Sequence, residues 1–452
     1  MVSWQVGDAA EAPDSNLTPR TPNHLVAARG CTNTLSAVTC GRMVGFRCRF
    51  CNNPVRHRVV DLGMSPLCES YVTEDALDHM EPFYPLSVWV CDRCYLVQLN
   101  EYVTASEIFE EYAYFSSYSS SWLEHAEDYV TMICERLELD HDSSVVELAS
   151  NDGYLLQYFV ERGVPCLGVE PAANVAQVAI DKGIPTDVFF FGSAKGKEMA
   201  ARGLSADLVL GNNVLAQVPD LNDFVSGISH ILASTGTVTI EFPHLLQLFD
   251  QNQFDTIYHE HFCYFSLISA EAVLAAHSLT VFDVEELWTH GGSLRIYARP
   301  TADETRPVSD RVTELRDREQ AAGFLDISAY TRFEEKVRET KRRLLEVLIA
   351  AKRDGKSIVG YGAPGKGNTL LNYCGIREDF LDFTVDRNPY KQGRYLPGTH
   401  IPIHAPERID ELKPDLILIL PWNFKDEILA QLAHVREWGA EFIVPIPSAS
   451  VI

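Results

Sequence analysis

The stretch SSVVELASNDGYLLQYFVERG, residues 143–163, decides how the rest of the chain is read. Val145, Val146 and Leu148 make a short strand with Glu147 inside it. A turn of small residues follows, from Ala149 through Asn151 to Gly153. The segment from Tyr154 is then apolar at helical spacing until Gly163 stops it. The same alternation continues outward. PCLGVE (165–170), ADLVLG (206–211) and TVTIEF (237–242) read as strands, and NVAQVAIDKG (174–183) as a helix with Gly183 past its end. Alternation of this kind implies a parallel sheet with helices on both faces.

The turn after the first strand departs from the dinucleotide pattern G-x-G-x-x-G. Ala149 and Asn151 stand where glycines are expected. A pyrophosphate needs the glycine-rich helix start, whereas S-adenosylmethionine has no phosphate and tolerates a less glycine-rich turn. Glu170, at the end of the second strand, can accept from both ribose hydroxyls of an adenosine. Asn212 and Asn213 follow the strand ending at Gly211, on the rim where such sheets bind ligands. Asn is also an ordinary turn residue there.

A second α/β unit lies behind a charged, largely helical connector, Arg306 to Asp354. Its strands read as KSIVGYG (356–362), LDFTVD (381–386), PDLILIL (414–420) and EFIVPI (441–446). The loop from Gly360 through Gly362, Gly365 and Lys366 to Gly367, with Asp386 ending the next strand, fits the dinucleotide fingerprint in context. That motif supports an alternative function, an NAD-dependent nucleotide-sugar oxidoreductase. The Tyr-x-x-x-Lys pair of short-chain oxidoreductases is missing, since Tyr361 and Lys366 have the wrong spacing.

Near the start, Cys48 and Cys51 form one C-x2-C pair and Cys91 and Cys94 another. Two such turns complete a tetrahedral zinc site, and four sulfurs leave no open position for water, so the metal is structural. Tyr258, His259, Glu260 and His261 sit inside an aromatic run that includes Phe254, Phe262 and Phe265. Titratable groups in such surroundings are costly unless they line a site, although solvated loop histidines are the plain alternative. His290 to Arg295 reads as a flexible turn with an arginine for a phosphate.

The 452 residues suggest about three domains. The net charge of -25 argues against nucleic acid and against anionic membranes as partners. No apolar run approaches the roughly 20 residues needed to cross a bilayer. The amino terminus lacks the basic and apolar regions of a secretory signal, so the eleven cysteines read as thiols or metal ligands in the cytoplasm.

Together these segments resemble the sugar C-methyltransferases that act on nucleotide-linked 4-keto-deoxysugars in antibiotic biosynthesis. The resemblance is carried by the paired C-x2-C, VVELASNDGYLL, GNNVLAQVPDL, YHEHFCYFS, HGGSLRIYA, GYGAPGKGNTLLNYCGI and VDRNPYKQGRYLPGTHIPI. It implies an α/β chain with an extension without fixed structure over 1–45 and a zinc-binding domain over 46–105. A Rossmann-like S-adenosylmethionine-dependent domain over 106–303 and a Rossmann-like nucleotide-sugar-binding domain over 304–452 complete it. The implied reaction is base-catalysed methylation at C-3, with C-5 also open, by a monomer. Tyr258, Glu260 and His261 match catalytic positions. Glu147, Ala149, Asn151, Gly153, Glu170, Asn212 and Asn213 fall on the cofactor side. Tyr112, Arg295, Gly362, Lys366, Asn368 and Asp386 fall on the substrate side. Gln217 stands where many members carry a histidine.

Overall fold

The computed structural model describes residues 46–109 and 115–452, organised on three sheets. The expected extension over 1–45, with Cys31 and Cys40, lies outside the described residues. The first sheet uses β1 (His57–Ser65), β2 (Tyr84–Val90) and β3 (Val97–Leu99). Leu86, Val88 and Val90 alternate inward along β2, the period of a half-buried strand.

The second sheet contains β4 (Val145–Leu148), β5 (Cys166–Val169), β6 (Thr186–Asp187), β7 (Ala206–Asn212) and β8 (Leu232–Pro243). The short β9 (Cys263–Tyr264) leaves this sheet and pairs with β3 of the first one. The chain then returns through β10 (Leu279–Leu287) and β11 (Ser293–Pro300). The order is β10-β11-β8-β7-β4-β5-β6. All four residues of β4 are buried, as a strand covered on both faces must be.

Not every strand of this sheet is parallel, as the alternation had suggested. β11 runs against both β8 and β10. The cause is the connection at Thr289–Gly291, where His290, Gly291 and Gly292 take φ of 54°, 91° and 125°. This turn is too short for a crossover, so the two strands it joins must be antiparallel. The stretch read as a flexible turn up to Arg295 is therefore the tight end of a hairpin.

The third sheet has the order β14-β13-β12-β15-β16-β17. Its members are β12 (Ile358–Tyr361), β13 (Thr384–Val385), β14 (Ile403–His404), β15 (Leu416–Ile419), β16 (Glu441–Val444) and β17 (Ser450–Val451). The helix Phe333–Arg353 precedes it and buries Phe333, Val337, Leu344 and Leu348 along one stripe. Strand order reverses between β4 and β7 in the second sheet and between β12 and β15 in the third. Both reversals open a crevice at the carboxyl ends of the strands. Among the described residues no helix is long and apolar enough to cross a membrane.

One buried hydrogen-bonded pair fixes the element after β9. His244 Nε2 lies 2.7 Å from Glu319 Oε1, and neither side chain is exposed. The same carboxylate accepts the Leu267 and Ile268 N–H groups at the start of helix Leu267–Ala275. Glu319→Ala leaves an imidazole and two amides unpartnered, so we expect a loss of about 3–5 kcal/mol in urea denaturation. A wild-type midpoint would contradict that role.

Candidate active site and metal centre

The two C-x2-C turns have the same backbone form. Cys48 N–H donates to Asn53 O and Asn52 N–H to Cys48 O; Cys91 N–H donates to Leu96 O and Tyr95 N–H to Cys91 O. Asn52 and Tyr95 both take a φ of 58°, which turns each chain back beneath its sulfurs. The four Sγ atoms lie within 4.8 Å of one another, with Cys48 3.5 Å from Cys94 and Cys51 3.5 Å from Cys91. Tetrahedral zinc, with Zn–S of about 2.3 Å, spaces its sulfurs by about 3.8 Å. Gln98 Nε2 donates to Cys48 Sγ at 3.3 Å and orients it. Burial pushes the Cys51 thiol up to about 11, and a divalent cation reverses that preference because thiolates bind it. The donor set fits structural zinc.

A cavity of about 440 Å³ lies where the carboxyl ends of the second and third sheets meet. The turn after β4 supplies Ala149 and Asn151 to its wall. These take φ of 57° and 50°, and Gly153 takes 75°. The left-handed backbone of a glycine turn is thus kept without two of the glycines, and strain of that kind marks a functional loop. Ala149 N–H donates to Val169 O and holds the turn against β5.

Glu170 lines the same wall. Its carboxylate accepts Asn151 N–H at 2.9 Å and Ala172 N–H at 2.8 Å. Burial raises its pKa and these two amides oppose the rise. Asn212 and Asn213 also face the cavity. Asn213 Nδ2 lies 2.9 Å from His290 Nε2, and its buried Oδ1 has no partner among the described residues. Trp122, in the first turn of helix Ser120–Leu137, stacks on Tyr154 and meets the His290 ring edge-on. An aromatic wall, a paired carboxylate at a strand end and an open amide oxygen fit S-adenosylmethionine. Glu147 and Gly153 do not line the cavity. Glu147 is buried with neither oxygen partnered among the described residues, and burial, with Glu170 and Asp152 nearby, raises its pKa well above normal. A Cβ on Gly153 would overlap the Ile184 side chain, so its role there is packing.

Tyr258, Glu260 and His261 line the same cavity. His261 Nδ1 lies 3.2 Å from Thr256 O, a carbonyl that can only accept. The proton is therefore on Nδ1 and the lone pair on Nε2. Tyr258 packs on the imidazole with ring centroids 4.2 Å apart. Burial lowers the His261 pKa to about 4, so the ring is neutral in ordinary buffers. Glu260 Oε1 lies 3.6 Å from the Cys68 thiol. His259 points elsewhere, onto Pro85 O and the Tyr84 ring.

Lys366 enters the cavity with Pro364 and Gly365 after β12, and Asn423 and Phe424 after β15. The other expected substrate residues lie outside the cavity lining. Arg295 is buried in β11, paired with Glu241 at 2.8 Å and Glu285 at 3.2 Å, so no phosphate can reach its guanidinium. Asp386 accepts the Ala363 and Asn388 N–H groups and shapes the loop. Gly362 packs against Pro421, and Asn368 donates to Cys68 O. Tyr112 lies outside the described residues. The helix start at Gly365, where a dinucleotide would rest its phosphates, packs closely against the loop after β1. A Cβ on Gly365 would come within 2.9 Å of Cys68 Sγ and of Glu69 Oε1. Trp122, Phe190, Phe191, Gln217, His290 and Lys391 line the cavity too, and the sequence reading gave them no ligand role.

The fold, the cysteine cluster and the cavity define an S-adenosylmethionine-dependent methyltransferase with a zinc-binding domain. Family models agree along the chain: a zinc-binding domain over residues 48–109, a methyltransferase domain over 122–283 and a C-methyltransferase C-terminal domain over 288–447. The chain is 37% identical over 407 residues to C-methyltransferase NovU of Streptomyces niveus, covering 90% of this chain and 96% of that protein. It belongs to the C-methyltransferase family. Among solved structures it is similar to an S-adenosylmethionine-dependent methyltransferase of Clostridium acetobutylicum (10% identity, 39% of this chain, 91% of that one, TM-score 0.32). Magnesium protoporphyrin IX methyltransferase of Synechocystis is another (14%, 39% and 78%, TM-score 0.29).

Cys48→Ser is expected to leave zinc substoichiometric by elemental analysis and to lower the melting temperature. Full zinc content with wild-type melting would refute the four-cysteine site.

Proposed function

We propose that this C-methyltransferase acts on a nucleotide-linked, TDP-type 4-keto-deoxysugar and methylates a carbon beside the ketone. C-3 is the position the family resemblance implies, and C-5 shares its acidity. The observation that carries the reading is the neutral His261, its tautomer set by Thr256 O, lining the same cavity as Glu170 and Asn213. A ketone at C-4 acidifies the neighbouring C–H. His261 Nε2 takes that proton, the C–H pair enters the ring C–C bond, and the carbonyl pair moves onto oxygen. Glu260 beside it offsets the positive charge the imidazole acquires. Tyr258 supports the ring by packing.

Glu170 holds the ribose hydroxyls of the cofactor, and Asn213 Oδ1 accepts from its polar end. Bound there, S-adenosylmethionine supplies a methyl on a sulfonium. The enolate carbon forms the new C–C bond as the S–C pair stays on sulfur. Holding both reactants in one closed cavity supplies much of the rate.

His261→Asn is expected to reduce turnover by about 10²–10⁴-fold, with S-adenosylmethionine affinity by calorimetry within about twofold. Unchanged turnover would remove His261 as the base. Incubation with labelled cofactor and TDP-4-keto sugars, followed by NMR of the product, tests substrate class and ring carbon together. No labelled sugar from any of them would overturn the reading.

The pH profile follows from burial. The base fails only when Nε2 is protonated, as pH falls through about 4. We therefore expect kcat/KM to lose no activity on acidification from about pH 7 to about pH 5. A limb centred near 6.5, the ordinary histidine value, would contradict this environment.

A further inference from the structure

Lys366 reaches out of the third sheet toward the methyltransferase wall, and what surrounds it does not suit a phosphate anchor. Its Nζ donates to Asn423 Oδ1 and sits 4.8 Å above the Trp422 ring. The indole N–H of Trp422 donates to Asp255 Oδ2 at 2.7 Å. Asp255 is fully buried, lies in the turn that leads into Tyr258, and its other oxygen has no partner. A buried carboxylate without a direct cation is costly. Its charge acts instead across the indole on Lys366. The arrangement is tightly built: Gly291, with φ of 91°, has no room for a Cβ, which would meet Trp422 at 2.8 Å. His290 is near enough for its charge to be opposed by Lys366, and burial already holds that ring neutral, at about 4. Glu69, Tyr154, Glu170, Tyr258, Glu260, His261 and Lys391 are the other titratable groups lining the shared cavity.

A fixed ammonium in a cavity that also receives a sulfonium is repulsive unless an anion comes between them. The reaction makes one such anion, the enolate. Resting on the function proposed above, we infer that Lys366 is a catalytic residue that stabilises the developing C-4 oxyanion, and that Asp255 and Trp422 are the positioning residues that hold it there. The ammonium then binds the transition state better than the ground state, which is what lowers a barrier. Burial lowers the Lys366 pKa to about 8, and the Asp255 charge limits that fall. Activity should accordingly decline as pH rises through about 8 and the ammonium is lost.

The test uses the whole enzyme with a TDP-4-keto sugar. Enolisation is read as solvent deuterium uptake with S-adenosylhomocysteine bound, and methyl transfer as kcat and KM. Lys366→Gln is expected to slow both deuterium uptake and kcat by about 10²–10³-fold, with KM changed less than about threefold. S-adenosylmethionine affinity should be equal or tighter, since a like charge has gone. Lys366→Arg, which keeps a cation, should retain part of the exchange rate and controls for folding. Asp255→Asn keeps an acceptor for the indole but removes the charge, so the alkaline limb should move to lower pH. A raised KM with normal kcat and exchange in Lys366→Gln would make Lys366 a phosphate anchor and overturn the inference. An unmoved alkaline limb in Asp255→Asn would overturn the positioning role. If the wild-type enzyme itself shows neither exchange nor methyl transfer, the substrate assignment beneath both fails.

Discussion

The structure depends on one short strand pairing. β9 pairs with β3 through Val97 with Tyr264 and Gln98 with Cys263. β9 follows directly on the Tyr258–His261 segment, and β3 follows directly on the second zinc turn. Gln98 donates to a zinc-ligand sulfur, and its Oε1 accepts the Arg49 N–H from the first turn. Arg49 in turn lies over the Phe262 ring. The wall that carries His261 is thus an outgrowth of the zinc sheet. A metal that takes no part in the chemistry still fixes where the imidazole stands, because the backbone hydrogen bonds of a sheet fix register to one residue.

From that wall the remaining geometry follows. The second sheet brings Glu170 and Asn213 to the cavity, the third brings Lys366, and both do so from strand ends flanking an order reversal. Neither sheet encloses the ligand alone. The local electrostatics also differ from the net charge of -25. Glu69, Glu170 and Glu260 share the cavity with Lys366 and Lys391. The anionic substrate proposed above would meet this local balance rather than the net charge of the whole chain.

What was legible in the sequence is what local rules control. Val145 to Leu148 announced a buried parallel strand, and the two C-x2-C turns announced a metal site, because each is decided within a few residues. Ala149 and Asn151 were legible as departures from a glycine turn, but not as residues that keep the glycine conformation. Arg295 was misleading for a different reason: Glu241 and Glu285, which pair with it, come from neighbouring strands that only the folded sheet aligns. The glycine loop after β12 matched its fingerprint faithfully. The close packing of Cys68 and Glu69 on Gly365 depends on a contact between distant parts of the chain. Asp255 drew no reading from the sequence, because Trp422, which binds it, and Lys366, which lies over that indole, come from a distant part of the chain.

The close approach at Gly365 has a consequence for how this sequence can vary. Three segments meet there: the loop after β1 through Cys68 and Glu69, the Tyr258–His261 segment through Glu260, and the helix Gly365–Cys374. A side chain gained at 365 requires volume lost at 68 or a displaced carboxylate at 69, and a change at 68 alters what touches Glu260. The residues tolerated at one position are therefore conditional on the other two. Exchanging any one of the three units with a relative, without its counterparts, would join surfaces that no longer fit.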